Sequence, residues 1–98
     1  MDTSFPDRFR RRPDVRFRII DREAVILRQR AGENLVLNDV GSSILAWVDQ
    51  GLTVQEIEDL LPTEYDVAKS DAARDLHVFL AELTEAGVIE PVPAAVET

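Results

Sequence analysis

The stretch Leu35-Val36-Leu37-Asn38-Asp39-Val40-Gly41 marks the point at which this chain changes from strand to helix. Before it, apolar residues recur with a period of two, which is the spacing of a strand with one buried face. After it they recur at helical spacing, and the side chain of Asn38 or Asp39 can cap the new helix by accepting a free backbone N–H group. The sequence therefore predicts strands first and helices second.

Three strands are predicted before this change. In the first, Val15, Phe17 and Ile19 alternate with arginines, and the second is rich in β-branched and aliphatic residues. The predicted strands cover residues 15–19, 24–30 and 35–37. Short polar turns separate them, at residues 21–23 and 31–34. The first two strands form a predicted hairpin.

Three helices are predicted after it. The first covers about residues 39–50 and stops at Gly51, which favours a left-handed backbone. The second starts with a capping box at Thr53-Val54-Gln55-Glu56 and is expected to end before Pro62, and the third runs from Ser70-Asp71 to Gly87. After the third helix, residues 88–89 are predicted to be extended and to pack on the core. The predicted fold class is α+β, a three-stranded antiparallel sheet followed by three helices.

One domain accounts for the whole chain. Its 98 residues, 45% of them hydrophobic, are enough for a single modest core, which we place within residues 13–90. Residues 1–12 contain proline and several arginines and are predicted to be a flexible basic arm. Residues 91–98 contain two prolines and small residues and are predicted to be a flexible tail. Neither end is expected to join the core.

The composition excludes several classes of protein. The chain has no cysteine, so disulfides, thiolate metal sites and cysteine nucleophiles are excluded. Residues 1–6 lack the charged and then apolar pattern of a secretory signal, and no apolar run approaches the length that spans a membrane. We therefore expect a cytoplasmic protein without a membrane partner.

Charge is distributed unevenly along the chain. The net charge is -8, yet residues 1–30 hold nine arginines and five acidic residues, a net of +4. Residues 31–98 hold two basic and fourteen acidic residues, a net of -12. Because the rest of the chain is strongly acidic, the basic N-terminal part is predicted to be solvated or to contact an acidic protein partner. A nucleic-acid tail is the alternative.

Patterns typical of catalysis or cofactor binding are missing from the sequence. His77 is the only histidine and has no cysteine partner, and a lone histidine on a helix is usually a surface or boundary residue. No glycine-rich phosphate loop occurs. The aromatic residues Phe17, Trp47 and Tyr65 are more typical of a core than of ligand stacking. We expect no enzyme activity, no cofactor and no metal.

The third helix carries an apolar residue on its polar side. On a helical wheel the core side holds Ala72, Leu76, Leu80 and Leu83, with Phe79 at its edge. The opposite side holds Val78 together with Asp71, Asp75 and Glu82. A single exposed valine is ordinary on a protein surface. The alternative is that Val78 and the neighbouring Phe79 form the floor of a groove.

The order and spacing of several core and turn positions resemble those of the PqqD-like family, whose members are also called precursor-peptide recognition elements. The resemblance covers about residues 13–90. The residues that carry it are Leu37-Asn38-Asp39-Val40-Gly41, Ile44, Trp47, Gly51-Leu52-Thr53-Val54, Ile57, Glu64-Tyr65-Asp66-Val67, Asp75-Leu76, Phe79-Leu80, Leu83 and Gly87-Val88-Ile89. The resemblance implies a small winged helix-turn-helix fold.

The resemblance also implies a role. Members of the family bind the leader of a ribosomally made precursor peptide and present it to a modifying enzyme, such as a radical SAM enzyme or a leader protease. The leader is expected as an added strand beside the third strand and against the third helix. Carried over to this sequence, the strand edge is Asn34, Leu35, Val36 and Leu37. Our wheel adds the helix side, which is Asp71, Asp75, Val78, Phe79 and Glu82.

Two questions stay open on the sequence alone. The peptide could belong to the pyrroloquinoline quinone, lasso or another class. A winged helix-turn-helix can also be a DNA-binding regulator, which is the alternative function. Against it, the helix that would enter the groove of DNA carries Asp71, Asp75, Glu82 and Glu85 with Arg74 as its one arginine, and these acids repel phosphate. We therefore expect no nucleic-acid partner.

Overall fold

The computed structural model describes residues 5–28 and 34–93. Five strands and three helices follow one another in the order β1, β2, β3, β4, α1, α2, α3, β5. Their bounds are β1 Phe9–Arg11, β2 Val15–Ile20, β3 Glu23–Arg28, β4 Asn34–Leu37, α1 Asp39–Asp49, α2 Val54–Glu64, α3 Lys69–Glu85 and β5 Ile89–Pro91. The predicted class, an α+β winged helix-turn-helix with a three-stranded antiparallel sheet followed by three helices, is confirmed.

The main sheet has the strand order β2-β3-β4, and both pairs are antiparallel. A two-residue turn joins β2 to β3, and its residues Asp21 and Arg22 have φ angles of 53° and 69°. Positive φ at both central positions is the geometry that fits the twist of a tight hairpin. The predicted hairpin is therefore confirmed. The predicted second turn and the end of the second strand, residues 29–33, lie outside the described residues.

The sheet is buried on one face only. Val15, Ala24 and Ile26 are fully buried on the face that receives the helices. Their neighbours Arg16 and Leu27 are exposed on the other face, as the two-residue alternation requires. The core thus lies between one face of the sheet and α1, α2 and α3.

Local chemistry fixes the helix ends. Asn38 Oδ1 accepts the backbone N–H of Gly41 at 2.9 Å, and the capping box of Thr53 and Glu56 is present. The prediction that the second helix ends before Pro62 is wrong, because α2 continues to Glu64. A proline lacks the N–H of one helical hydrogen bond, but the last turn is held by the buried Leu61 and by the N–H of Tyr65, which donates to the carbonyl of Leu61.

The N-terminal residues depart most from prediction. Phe9, which the sequence places in a flexible arm, is only 4% exposed, and β1 pairs antiparallel with β5. Residue 91, predicted to begin the tail, is part of that second sheet. The expectation that neither end joins the core is therefore wrong for Phe9, whereas Pro91 is held in the small sheet but stays exposed. A three-residue strand whose partner lies some eighty residues away has no local periodicity that could reveal it.

The N-terminal segment is attached at further points. Arg10 Nε lies 2.8 Å from Glu90 Oε2 across the small sheet, and the backbone N–H of Val54 donates to the carbonyl of Asp7 at 2.7 Å. The ring of Phe5 stacks on His77 with 4.2 Å between centroids. The lone histidine therefore has a structural contact. Among the described residues, no helix is long and apolar enough to cross a bilayer.

Replacing Phe9 with Ala should test the second sheet. We expect the free energy of unfolding to fall by about 3–5 kcal/mol, because the change leaves a cavity under β1 and β5. The exposed neighbour change Arg8→Ala should alter it by less than about 0.5 kcal/mol. Urea denaturation followed by circular dichroism measures both. Equal stability of the two variants would show that Phe9 does not belong to the core.

Candidate functional site

Strand β4 is an open edge of the main sheet. Among the described residues it pairs with β3 alone, so its other side offers unpaired backbone groups. The hydroxyl of Ser42 accepts the N–H of Ala24 at 2.6 Å and contacts the carbonyl of Leu37 at 3.2 Å. The carbonyl of Leu37 therefore points towards β3. Because antiparallel residues alternate in direction, the N–H and C=O of Val36 point away from β3, into the open edge.

The side chains of β4 alternate in the same way. Leu35 and Leu37 are half-buried and pack against the core, while Val36 is 60% exposed on the outer face. The strand thus has a fixed register against β3, with Val36 opposite Val25. An extended chain added at this edge would find backbone donors and acceptors in a defined position.

A groove lies alongside α3. It encloses about 570 Å³ and is lined by residues of α3, of the first turns of α1 and of the segment between α2 and α3. The lining residues are Asn38, Val40, Gly41, Ile44, Leu61, Tyr65, Asp66, Val67, Ala72, Arg74, Asp75, Leu76, Val78, Phe79 and Glu82. Its wall is mostly apolar, and its charged residues stand along α3 and at Asp66.

The helix side of the groove follows the helical wheel. Val78 is 54% exposed, and Phe79 is half-buried against the core. Leu76 and Leu80, which the wheel places on the core side, are fully buried, which confirms the predicted orientation of the helix. A large apolar side chain with more than half its surface in water is available to a ligand at no cost to the core.

Gly41 connects this groove to the end of β4. A Cβ atom at this position would lie 3.0 Å from Phe79 Cζ and 3.3 Å from Leu37 Cβ. The first turn of α1 can therefore approach both the phenyl ring on α3 and the last residue of β4. Only a residue without a side chain permits this approach without displacement of the ring. The groove therefore begins beside the end of β4, where Asn38 and Gly41 are part of its lining.

Tyr65 also packs against the first turns of α1, where it lines the groove. Its hydroxyl lies 2.9 Å from Asp39 Oδ1 and 2.6 Å from Ser43 Oγ. Burial raises the pKa of Tyr65 above its ordinary value, and the neighbouring carboxylate of Asp39 adds to this increase. The phenol therefore keeps its proton at neutral pH and donates a hydrogen bond to Asp39 Oδ1, which leaves Ser43 Oγ as the donor to the phenol oxygen. This contact holds the segment after α2 against α1.

The groove has a negative rim. Asp66, Asp75 and Glu82 line it, with Arg74 as the one basic residue in the lining. Arg74 is itself held by Asp71, with 2.9 Å between Nη2 and Oδ1. The electrostatic potential of the rim therefore favours basic groups in an incoming chain.

The structure brings together most of the predicted site residues. Four of the α3 positions line the groove, namely Asp75, Val78, Phe79 and Glu82. Asp71 does not line it and pairs with Arg74 instead. The strand positions Asn34, Leu35, Val36 and Leu37 form the adjacent edge.

Sequence reasoning missed the wall contributed by α1 and by the segment after α2. That wall includes Val40, Gly41, Tyr65 and Val67. Gly41 offered one signal, since a glycine in the first turn of a helix lowers helix propensity and often marks a close approach. Tyr65 and Val67 lie between two helices, where no periodicity reports which way a side chain points.

An open strand edge joined to an apolar, acid-rimmed groove defines a domain suited to binding an extended peptide. The family model of coenzyme PQQ synthesis protein D (PqqD) matches residues 23–89, which is more than half of the chain. The chain belongs to the PqqD family.

Two solved structures are similar to this chain. One is TbiB1 in complex with the TbiA(beta) leader peptide, which is 32% identical, has a TM-score of 0.79 and matches over 83% of this chain and 94% of its own. The other is a lasso peptide synthetase B1 complexed with the leader peptide, with 32% identity, a TM-score of 0.78 and coverage of 85% and 98%. A search of curated proteins gave no match.

Proposed function

We propose that this protein binds the leader of a ribosomally synthesised precursor peptide and presents that peptide to a modifying enzyme. The observation that carries the proposal is the open edge of β4 beside the groove of α3. Membership of the PqqD family and the likeness to two proteins solved with leader peptides support it. The proposed peptide-binding residues are Asn34, Leu35, Val36, Leu37, Asp75, Val78, Phe79 and Glu82, with Asp71 supporting Arg74 from outside the groove.

Binding combines two kinds of contact. The leader pairs as an added strand with the free backbone groups of β4, which gives affinity with little demand on sequence. Its alternate side chains then point into the groove, where Val78 and Phe79 provide the apolar surface. Asp75 and Glu82 at the rim favour leaders with basic residues near these apolar positions. Pairing and packing of this kind require no cofactor.

The proposed reaction context is lasso peptide biosynthesis. One of the two similar structures is a lasso peptide synthetase B1, and this favours a lasso precursor over a precursor of pyrroloquinoline quinone. The partner enzyme would then be a leader protease, with a radical SAM enzyme as the alternative. The protein itself would contribute binding and no catalysis. We place it in the cytoplasm, where a ribosomal precursor is made.

Replacing Val36 with Pro should test the strand edge. The N–H of Val36 points away from β3, into the open edge of the sheet. Proline at this position therefore removes a donor to the leader without breaking a hydrogen bond between β4 and β3. We expect affinity for a synthetic leader peptide to fall about two- to tenfold, the loss of one neutral hydrogen bond. Isothermal titration calorimetry measures it. The control Val36→Thr keeps both the N–H and a β-branched side chain and should bind as wild type; equal affinity of a folded proline variant would refute strand addition here.

Replacing Val78 with Asp should test the groove. A carboxylate in a partly desolvated apolar contact is unfavourable, so leader affinity should fall at least about tenfold while thermal stability changes little. Ala81→Asp is the matched control, because it places the same charge on an exposed part of α3 outside the groove lining. Leu80→Ala should act in the opposite way and lower the free energy of unfolding by about 2–5 kcal/mol. Unfolding of Val78→Asp would instead assign Val78 to the core.

Salt dependence should separate a peptide-binding protein from a DNA-binding regulator. A protein that makes about six to ten phosphate contacts loses about 10³–10⁵-fold in DNA affinity between 50 and 200 mM salt, whereas strand pairing and apolar contacts weaken little. We expect leader affinity to change less than about tenfold over this range. The intact protein should not shift a duplex DNA at physiological salt. A DNA complex at 200 mM salt without leader binding would support the regulator.

A further inference from the structure

We propose that the outer face of the main sheet is the surface on which the modifying enzyme docks, and that the enzyme meets it with acidic and apolar side chains. The outer face is the side of β2, β3 and β4 turned away from the helices. The identity of the occupant rests on the proposed function, whereas the properties of the face come directly from the structure. Once a leader is bound as a strand, we infer that its outward side chains complete this docking surface.

The outer face is apolar in its centre. Strand register places Val25 between Arg18 and Val36 in one cross-strand row, and Leu27 between Arg16 and Asn34 in the next. Leu27 is 45% exposed and Val36 is 60% exposed. Ile20, at the end of β2 on the same face, is 52% exposed. Three of the five large apolar side chains that are most exposed in the described part of the chain therefore share one side of the sheet.

The two arginines on this face indicate the charge of the partner that fits it. Arg16 and Arg18 are exposed, and neither has an ion-pair partner within residues 5–28 and 34–93. Glu23, opposite Ile20 in the register, is the one acidic residue that the described strands place on this face. The face is therefore net positive, opposite in sign to the acidic rim of the groove. An apolar centre flanked by arginine is the usual composition of a protein interface. Complementarity requires acidic groups on the partner.

The charges disfavour the other occupants of the face. A symmetric dimer through this face would bring together four arginines and only two glutamates, Glu23 of each copy, so part of the positive charge would have no acidic partner. Two arginines separated by apolar residues neutralise few phosphates, and the acidic remainder of the chain repels a nucleic acid. A protein with an acidic and apolar patch fits both properties of the face.

The face is continuous with the proposed leader site. A strand added beside β4 extends the sheet, and every second side chain of that strand lies on the same side as Val36. The enzyme would therefore contact both the protein and its cargo. Because the loaded protein offers a larger surface than the empty one, we expect the enzyme to bind the loaded form more tightly.

The test uses the double variant Arg16→Glu/Arg18→Glu. The matched control Arg8→Glu/Lys69→Glu makes the same change in net charge at exposed positions outside both the outer face and the groove lining. The probes are a synthetic leader peptide and the purified modifying enzyme encoded beside the precursor peptide. We expect the outer-face variant to bind leader as wild type and to lose enzyme affinity about tenfold or more, and the control to retain both.

A second variant addresses the apolar centre. Leu27→Thr introduces a β-branched residue that suits a strand but removes apolar surface, so enzyme affinity should again fall while leader affinity stays the same. Circular dichroism checks that each variant is folded. For wild type, saturating leader should increase enzyme affinity.

The outcomes distinguish the two proposals. Absence of leader binding by the wild type would overturn the proposed function. Leader binding with enzyme affinity unchanged in both outer-face variants would leave that function standing and overturn the docking surface. Self-association of the wild type in sedimentation, lost in Arg16→Glu/Arg18→Glu, would assign the face to a second copy. A shift of duplex DNA lost in the same variant would assign it to nucleic acid.

Discussion

Ser42 joins the first helix to the sheet, and much of the site depends on this contact. Its side chain is 2% exposed, and its hydroxyl lies between the N–H of Ala24 and the carbonyl of Leu37. A buried hydroxyl is stable only with such partners, so the start of α1 has one position relative to the end of β4. That position brings Gly41, one residue earlier, against the ring of Phe79. The strand edge and α3 thereby become neighbours.

The same contact explains why β4 stays open. The start of α1 meets the last residue of β4 and then turns under the sheet, towards its buried face. Among the described residues, no second strand pairs with the other side of β4. An unpaired edge is normally a liability that proteins protect. In this fold the unpaired edge lies next to an apolar groove. A bound peptide strand would form hydrogen bonds with the edge and bury apolar side chains in the groove.

Sequence reasoning was most successful where periodicity is local. The spacing of apolar residues alone predicts a change from strand to helix at Asn38 and an outward position for Val78. The structure confirms both predictions. Sequence reasoning was wrong about Phe9, because the pairing of β1 with β5 joins residues far apart in the chain. It ended α2 too early at Pro62, since packing outweighed one missing hydrogen bond. It missed the groove wall that Tyr65 and Val67 contribute, because they lie in a loop, where a sequence pattern does not indicate which way a side chain points.

The pairing of β1 with β5 has a consequence for how the domain could be used in larger proteins. The N–H of Val92 donates to the carbonyl of Arg8 at 3.0 Å, so the chain enters and leaves the fold at adjacent points. Domains with neighbouring entry and exit points tolerate insertion into other polypeptides and circular permutation. The same architecture could thus operate as a separate chain or as a module embedded within an enzyme, with its groove and sheet unchanged.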